Sequence, residues 1–343
     1  MKWRTDIACA IAGIAGLLVL IPLFMTKHFN PIYIVAVGVG LAGIVSYLAF
    51  FRKTHQTQVI DAGKYEWVGV AILCLVLAWV VFLTRSQQYV KPIGYYLLMA
   101  FAVSFAMLAV LRQRASVFVI LGLAIAIGLT HIWTENMMFP SLLGLDTWNH
   151  MVTTLSSWGT FGIEDMGGGY SLMHVFLRWI MDVTGLSYKI ASLVFWGSLQ
   201  TVGIVGLTFL IGRLLFSEQV GLVGALMVSS ANWVIFFGEL VIPNGMGATM
   251  GLLIVYLFIK AYKTNRIWIA GLSLLVLPLA LLTHFIAAIW VVGTITCMSL
   301  IYVRGKRTYA ISLGMGGVVT LMGWYYFAMV GRAIGTMEFT PAY

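Results

Sequence analysis

The sequence is built from stretches of about twenty apolar residues, placed near 7–25, 31–51, 66–84, 93–111, 115–133, 190–212, 219–238, 243–259, 267–282, 285–303 and 309–330. A bilayer's hydrocarbon core takes about 20 apolar residues per helix. Inside it every backbone N–H and C=O must be satisfied within the segment. Repeated runs of this length therefore predict an all-α, polytopic transmembrane bundle of eleven spans. Composition excludes the soluble alternative: 61% of the 343 residues are hydrophobic and 9% are charged, against roughly 25% charged in soluble domains. The run from Ile267 to Val303 is too long for one straight crossing. The polar Thr283-His284 at its middle predicts two helices joined by a tight turn. The first span has Lys2 and Arg4 ahead of it, like a signal peptide, but no small-residue cleavage pattern follows Met25. It reads as a retained helix.

The formal net charge is +9, yet the basic residues sit in short clusters between apolar runs, where they act as topology signals. This excludes a nucleic-acid partner. With the N-terminus cytoplasmic and each span changing side, the inner connections hold Lys2, Arg4, Arg52, Lys53, Lys64, Arg112, Arg114, Arg213, Lys260, Lys263, Arg266, Arg304, Lys306 and Arg307. The outer ones hold only Lys27, Arg85, Lys91, Arg178, Lys189 and Arg332. That bias matches the positive-inside rule and predicts a multi-pass cell-membrane protein with an external C-terminus. The acids lean the other way. Glu135, Asp146, Glu164, Asp165, Asp182, Glu239 and Glu338 fall outside, and only Asp6, Asp61, Glu66 and Glu218 inside. Cys9, Cys74 and Cys297 all lie in apolar runs and read as small packing residues.

One connection is long, Thr134 to Lys189 on the external side. Long loops in compact folds tend to be functional. Two helices near the membrane surface are predicted within it, 146–158 and 171–184, hinged at Gly167-Gly168-Gly169. In the first, Asp146, Asn149, His150, Thr153 and Ser157 share a polar face, while Trp148, Met151, Val152 and Leu155 lie away from it. In the second, His174, Arg178 and Asp182 repeat at i, i+4 and i+8. A polar stripe on an otherwise apolar helix suits a membrane surface or the wall of a wet cavity.

Asp146 is the leading candidate catalytic residue, with His150 one turn on and able to face the same site. Asp is also a favoured helix N-cap, and the two roles are compatible. His174 and His150 have a structural reading as interfacial hydrogen-bonding groups. Arg178 either pairs with Asp182 or reaches toward lipid phosphate. Glu239 sits in a short external turn and His284 at an external helix end; a solvated acid and a structural histidine are the plainer readings. His174, Arg178, Glu239 and His284 form the candidate substrate-binding set.

From Ala115 onward the pattern resembles the GT-C superfamily of membrane glycosyltransferases. Four segments carry the resemblance in order: GLDTWNH (Gly144 to His150), GGGYSLMHVFLRWIMDVTGLS (Gly167 to Ser187), ELVIPNGMGATMGLLIVYLFIKAY (Glu239 to Tyr262) and LALLTHFIAAIW (Leu279 to Trp290). They look like the family's acidic first external loop, second juxtamembrane helix, external turn and LLTHP-type turn. The resemblance divides the chain into an N-terminal transmembrane region, 1–114, whose role it does not cover, and a GT-C-like catalytic module, 115–343. It implies transfer of a sugar from a polyprenyl-phosphate donor to a glycan, lipid or protein acceptor at the external face, in contact with membrane lipid. Asp146 would be the base, or the ligand of a divalent cation (Mg or Mn) if the reaction is metal-dependent. Arg178 or Arg332 would balance the leaving phosphate. The competing classes are a transporter or flippase, a non-catalytic membrane scaffold, and a glycan polymerase or oligosaccharyltransferase-like enzyme. Transporters place ionisable groups near the bilayer midplane, and these spans hold almost none.

Overall fold

The computed structural model describes residues 66–113, 115–156, 171–302, 314–323 and 325. The expected spans 7–25 and 31–51, much of 309–330, the acids Glu164 and Asp165, the glycine hinge and Arg332 lie outside the described residues. Among the described residues all regular structure is helical. In chain order the helices are α1 (Glu66–Leu83), α2 (Ile93–Leu111), α3 (Val117–Met138), α4 (Leu145–Ser156), α5 (Ser171–Thr184), α6 (Tyr188–Leu215), α7 (Glu218–Ser229), α8 (Asn232–Leu240), α9 (Pro243–Thr264), α10 (Ile267–Thr283), α11 (Phe285–Tyr302) and α12 (Gly314–Gly323).

Local chemistry sets many boundaries. Ser116 caps α3 by accepting the Val119 N–H at 3.4 Å, and Ser217 caps α7 by accepting that of Val220 at 3.2 Å. Pro243 opens α9, where its missing N–H costs nothing, and Asn265 closes it in the left-handed conformation. Within α6, Leu193–Gly197 is wound as a π-helix. The Ser198 hydroxyl donates to the Leu193 carbonyl there at 2.8 Å and accepts from Trp133 Nε1 at 2.9 Å.

Five helices, α1, α2, α3, α6 and α9, are long and apolar enough to cross a membrane. A sixth crossing is made if α7 and α8, bent by 49° at their junction, act as one. The single span expected over 219–238 is thus two helices bent against each other, the geometry of a broken span or of a re-entrant loop. Thr283-His284 does divide its apolar run: α10 ends at Thr283 and α11 begins at Phe285. Gly247 and Gly251 on α9 lie against Ala287 and Val291 on α11, so the two run in the same direction. Ile269 and Ala270 of α10 instead pack on Ala261, late in α9. The chain therefore reverses at His284.

The outward faces of the helices are apolar. Leu73, Ile93, Phe101, Leu275, Ile286 and Leu321 are all exposed. In water such surfaces would drive association; in lipid they are at home. Polar Thr130, Asn136, Gln200, Ser273 and Ser299 are buried instead. Because lipid tails are as apolar as Leu, helices associate through close packing and interhelical hydrogen bonds. At the α6–α7 crossing, a Cβ on Gly212 would fall 2.7 Å from Gly221 Cα, so glycine is what permits that approach. One hydrophobic cluster joins α1 and α2 to α3, α6 and α7 through Phe82, Met99, Ile127, Phe209 and Leu226. The N-terminal hairpin α1–α2 is thereby packed onto the helices that follow Ala115.

Candidate functional site

Several helix ends meet at one end of the bundle. The C-terminal ends of α3 and α8 lie there with the N-terminal ends of α6 and α9, the end of α10 meets the start of α9, and α4 and α5 pack against these ends. Gly144 turns the chain at φ +75°, with Leu240 packed close against it. The Thr147 hydroxyl then donates to the Leu240 carbonyl, pinning the start of α4 on the end of α8.

The structure brings together three of the sequence candidates. His150 Nε2 lies 3.7 Å from Asp146 Oδ1, and His150 Nδ1 lies 3.0 Å from His174 Nε2. The first separation exceeds a hydrogen bond, whereas the second is one. The Asp146 side chain is 61% exposed, while both imidazoles are buried. Burial pushes both histidines below their ordinary range. For His150 the Asp146 charge opposes the shift. His174 falls to about 4, with the neighbouring His150 adding to the burial effect. The pair is neutral near pH 7. Beneath it lie Met173, Leu177, Tyr188, Trp196 and Met246.

The orientation of α4 corrects the expected polar face. Thr147, His150 and Thr154 point inward, but Asn149 and Thr153 stand outside with Trp148, Val152 and Leu155. The inward row follows contacts with α5 and α8, which periodicity alone does not contain. On α5, the stripe runs from buried His174 through half-buried Arg178 to exposed Asp182. Arg178 Nε donates to Asp182 Oδ2 at 3.1 Å, which favours the pairing alternative for this arginine.

Glu239 is half-buried at the end of α8. Its turn is held from three sides. Asn136 Nδ2 donates to the Glu239 carbonyl at 3.3 Å, Thr147 to that of Leu240, and Trp196 Nε1 to that of Ile242 at 3.2 Å. Val241 inside the turn has φ +51°, an outlier for a β-branched residue. Such strain persists only where surrounding contacts over-determine it. His284 is buried at the reversal between α10 and α11, and its Nδ1 accepts the Ala287 N–H at 3.3 Å. That bond is a helix-capping one, a structural use of the side chain.

Sequence reasoning missed a second polar cluster. Lys91 Nζ lies 2.6 Å from Glu135 Oε2, with the lysine side chain 4% and the glutamate 25% exposed. The ammonium also donates to the His131 carbonyl at 3.4 Å and sits 5.3 Å from the Tyr95 ring centre. The Tyr95 hydroxyl lies 3.0 Å from Thr134 Oγ1 and 3.4 Å from His131 Nδ1. Glu239 feels the charges of both Glu135 and Lys91. The signal was His131, Thr134 and Glu135 at i, i+3 and i+4 in an otherwise apolar helix.

Among the described residues, no group of three or more His, Cys, Asp or Glu side chains is arranged to hold a metal ion. No protein-family model, curated protein or solved structure matches the chain.

Proposed function

We propose that this protein is a GT-C-like membrane glycosyltransferase. In this reading it has eleven spans, a cytoplasmic N-terminus and an external C-terminus. It moves a sugar from a polyprenyl-phosphate donor to a glycan, lipid or protein acceptor at the external face. One observation carries the reading: an exposed carboxylate, Asp146, stands 3.7 Å from a buried neutral imidazole, His150, on a short helix pinned to the end of α8.

A hydroxyl oxygen can contact both groups across that gap, since each contact needs only about 2.7–2.9 Å. In the reaction the acceptor oxygen bonds to the anomeric carbon. The bond from that carbon to the phosphate oxygen breaks, and the phosphate leaves with the electron pair. The acceptor's proton passes to Asp146, a base already held beside the nucleophile. If the reaction is metal-dependent, Asp146 would hold the Mg or Mn ion, since Mg needs only one or two carboxylates beside substrate phosphates. The ion would supply positive charge against the leaving phosphate. The outward Trp148, Val152, Val175, Trp179 and Val183 suit helices embedded at the lipid boundary, where a polyprenyl chain arrives.

Asp146→Asn tests the reading, because Asn keeps the size and hydrogen-bonding shape of the side chain and removes the charge. Asp146 lies within the first turn of α4, which begins at Leu145, and not at the cap position expected for it. Transfer from a polyprenyl-phosphate sugar should be lost, with expression and thermal stability unchanged. Full activity in this variant would remove Asp146 from the mechanism.

A further inference from the structure

A neutral imidazole carries one N–H, so the 3.0 Å contact between His150 Nδ1 and His174 Nε2 allows two arrangements. In one, His150 donates from Nδ1 and turns a bare Nε2 lone pair toward Asp146. In the other, His174 donates from Nε2, and His150 carries its proton on Nε2, facing the carboxylate. The two are equal as hydrogen bonds and differ in electrostatics. A lone pair 3.7 Å from a carboxylate oxygen is repelled, whereas an N–H dipole is attracted, an effect that solvent at the 61% exposed carboxylate screens but does not reverse.

We propose that His174 is a positioning residue: it donates its Nε2–H to His150 Nδ1, locking His150 as a neutral Nε2–H donor aimed at Asp146. The lock has a chemical consequence. His150 cannot take a second proton on Nδ1 while His174 fills that nitrogen's lone pair. The proton-accepting group of the site is then Asp146, toward which the N–H points. Both imidazoles being pushed below their ordinary range agrees with this.

Among the described residues, the other polar groups near His150 are engaged as follows. On α4 the Thr154 hydroxyl donates to the His150 backbone carbonyl at 2.8 Å. On α5 Arg178 is paired with Asp182. On α6 Lys189 donates to the Phe139 carbonyl, and the buried Tyr188 hydroxyl faces the Thr154 side chain on α4, within range of the Asp146 charge. The consequence for catalysis rests on the reading of Asp146 as the base, but the proton positions do not.

The test is nitrogen NMR of the detergent-solubilised full chain carrying 15N-histidine, which distinguishes a protonated ring nitrogen from a bare one. His150 and His174 should each show a protonated Nε2 and a bare Nδ1, unchanged from about pH 8 to about pH 5.5. A proton on His150 Nδ1, or His174 titrating in that interval, would overturn the proposal. His174→Gln supplies a side-chain N–H in the same place and should keep the His150 tautomer. His174→Leu should release it, with His150 then titrating closer to the ordinary imidazole range. If the leucine variant does not fold, the wild-type spectrum still decides. If the spectra agree and Asp146→Asn retains full transfer, the glycosyltransferase reading fails and the lock stands. If the spectra disagree and Asp146→Asn is inactive, the lock alone fails.

Discussion

The ion pair between Lys91 and Glu135 lends itself to a quantitative test. It joins the loop before α2 to the last turn of α3, and so ties the α1–α2 hairpin to the rest of the bundle. Breaking a buried pair by removing one partner typically costs about 3–5 kcal/mol, because a charge is left buried and uncompensated. Here the two ends differ. The Lys91 side chain is 4% exposed and that of Glu135 is 25% exposed, so solvent reaches the carboxylate better than the ammonium. Glu135→Gln strands the ammonium and should cost about 3 kcal/mol, the lower end of that range, since one end of the pair is partly solvated. Lys91→Met leaves a carboxylate that can meet water, and should cost about 1–2 kcal/mol on the same reasoning. The double variant should cost less than the two singles combined, with a coupling of about 1–3 kcal/mol. Denaturant unfolding of the detergent-solubilised protein measures all three. Additivity within about 0.5 kcal/mol, or a larger loss for Lys91→Met than for Glu135→Gln, would refute the account.

Acidification probes the histidine pair. A histidine held below its ordinary value binds fewer protons folded than unfolded, so its contribution to stability is complete above about pH 6.5 and declines as pH falls toward about 4. For His174 the loss reaches at most about 3 kcal/mol, and the stability of His174→Gln should fall less steeply than wild type over that interval; parallel curves would contradict the assignment. A second probe concerns Gly245 on α9, where an added Cβ would lie 2.6 Å from Cδ and 2.7 Å from Nε2 of the fully buried Gln200. Gly245→Ala should therefore destabilise by about 1–3 kcal/mol, and adding Gln200→Ala should recover most of it; failure of that rescue would mean the clash lies elsewhere.

The helical, membrane-type architecture was legible in the sequence because its cause is local. A run such as Glu66–Leu83 or Ile93–Leu111 has the length of a bilayer crossing and no charged side chain after its first residue to oppose it. The same holds for the reversal at Thr283-His284, where two polar residues interrupt an apolar run. The i, i+4 spacing of Asp146 and His150 likewise sufficed to put them within reach of each other on one helix.

What faces what was decided only in the tertiary structure. Spans that are apolar on every side carry no periodic signal for their inward face, and lipid is as apolar as a neighbouring helix. Hence α4 turns Thr147, His150 and Thr154 inward in place of the expected Asn149 and Thr153, and His174 meets His150 across two helices. The 49° break between α7 and α8, the strained turn at Val241 and the burial of Lys91 against Glu135 have the same origin. Each depends on rotations and contacts between segments far apart in the chain, where interhelical hydrogen bonds and close approach outweigh local preference.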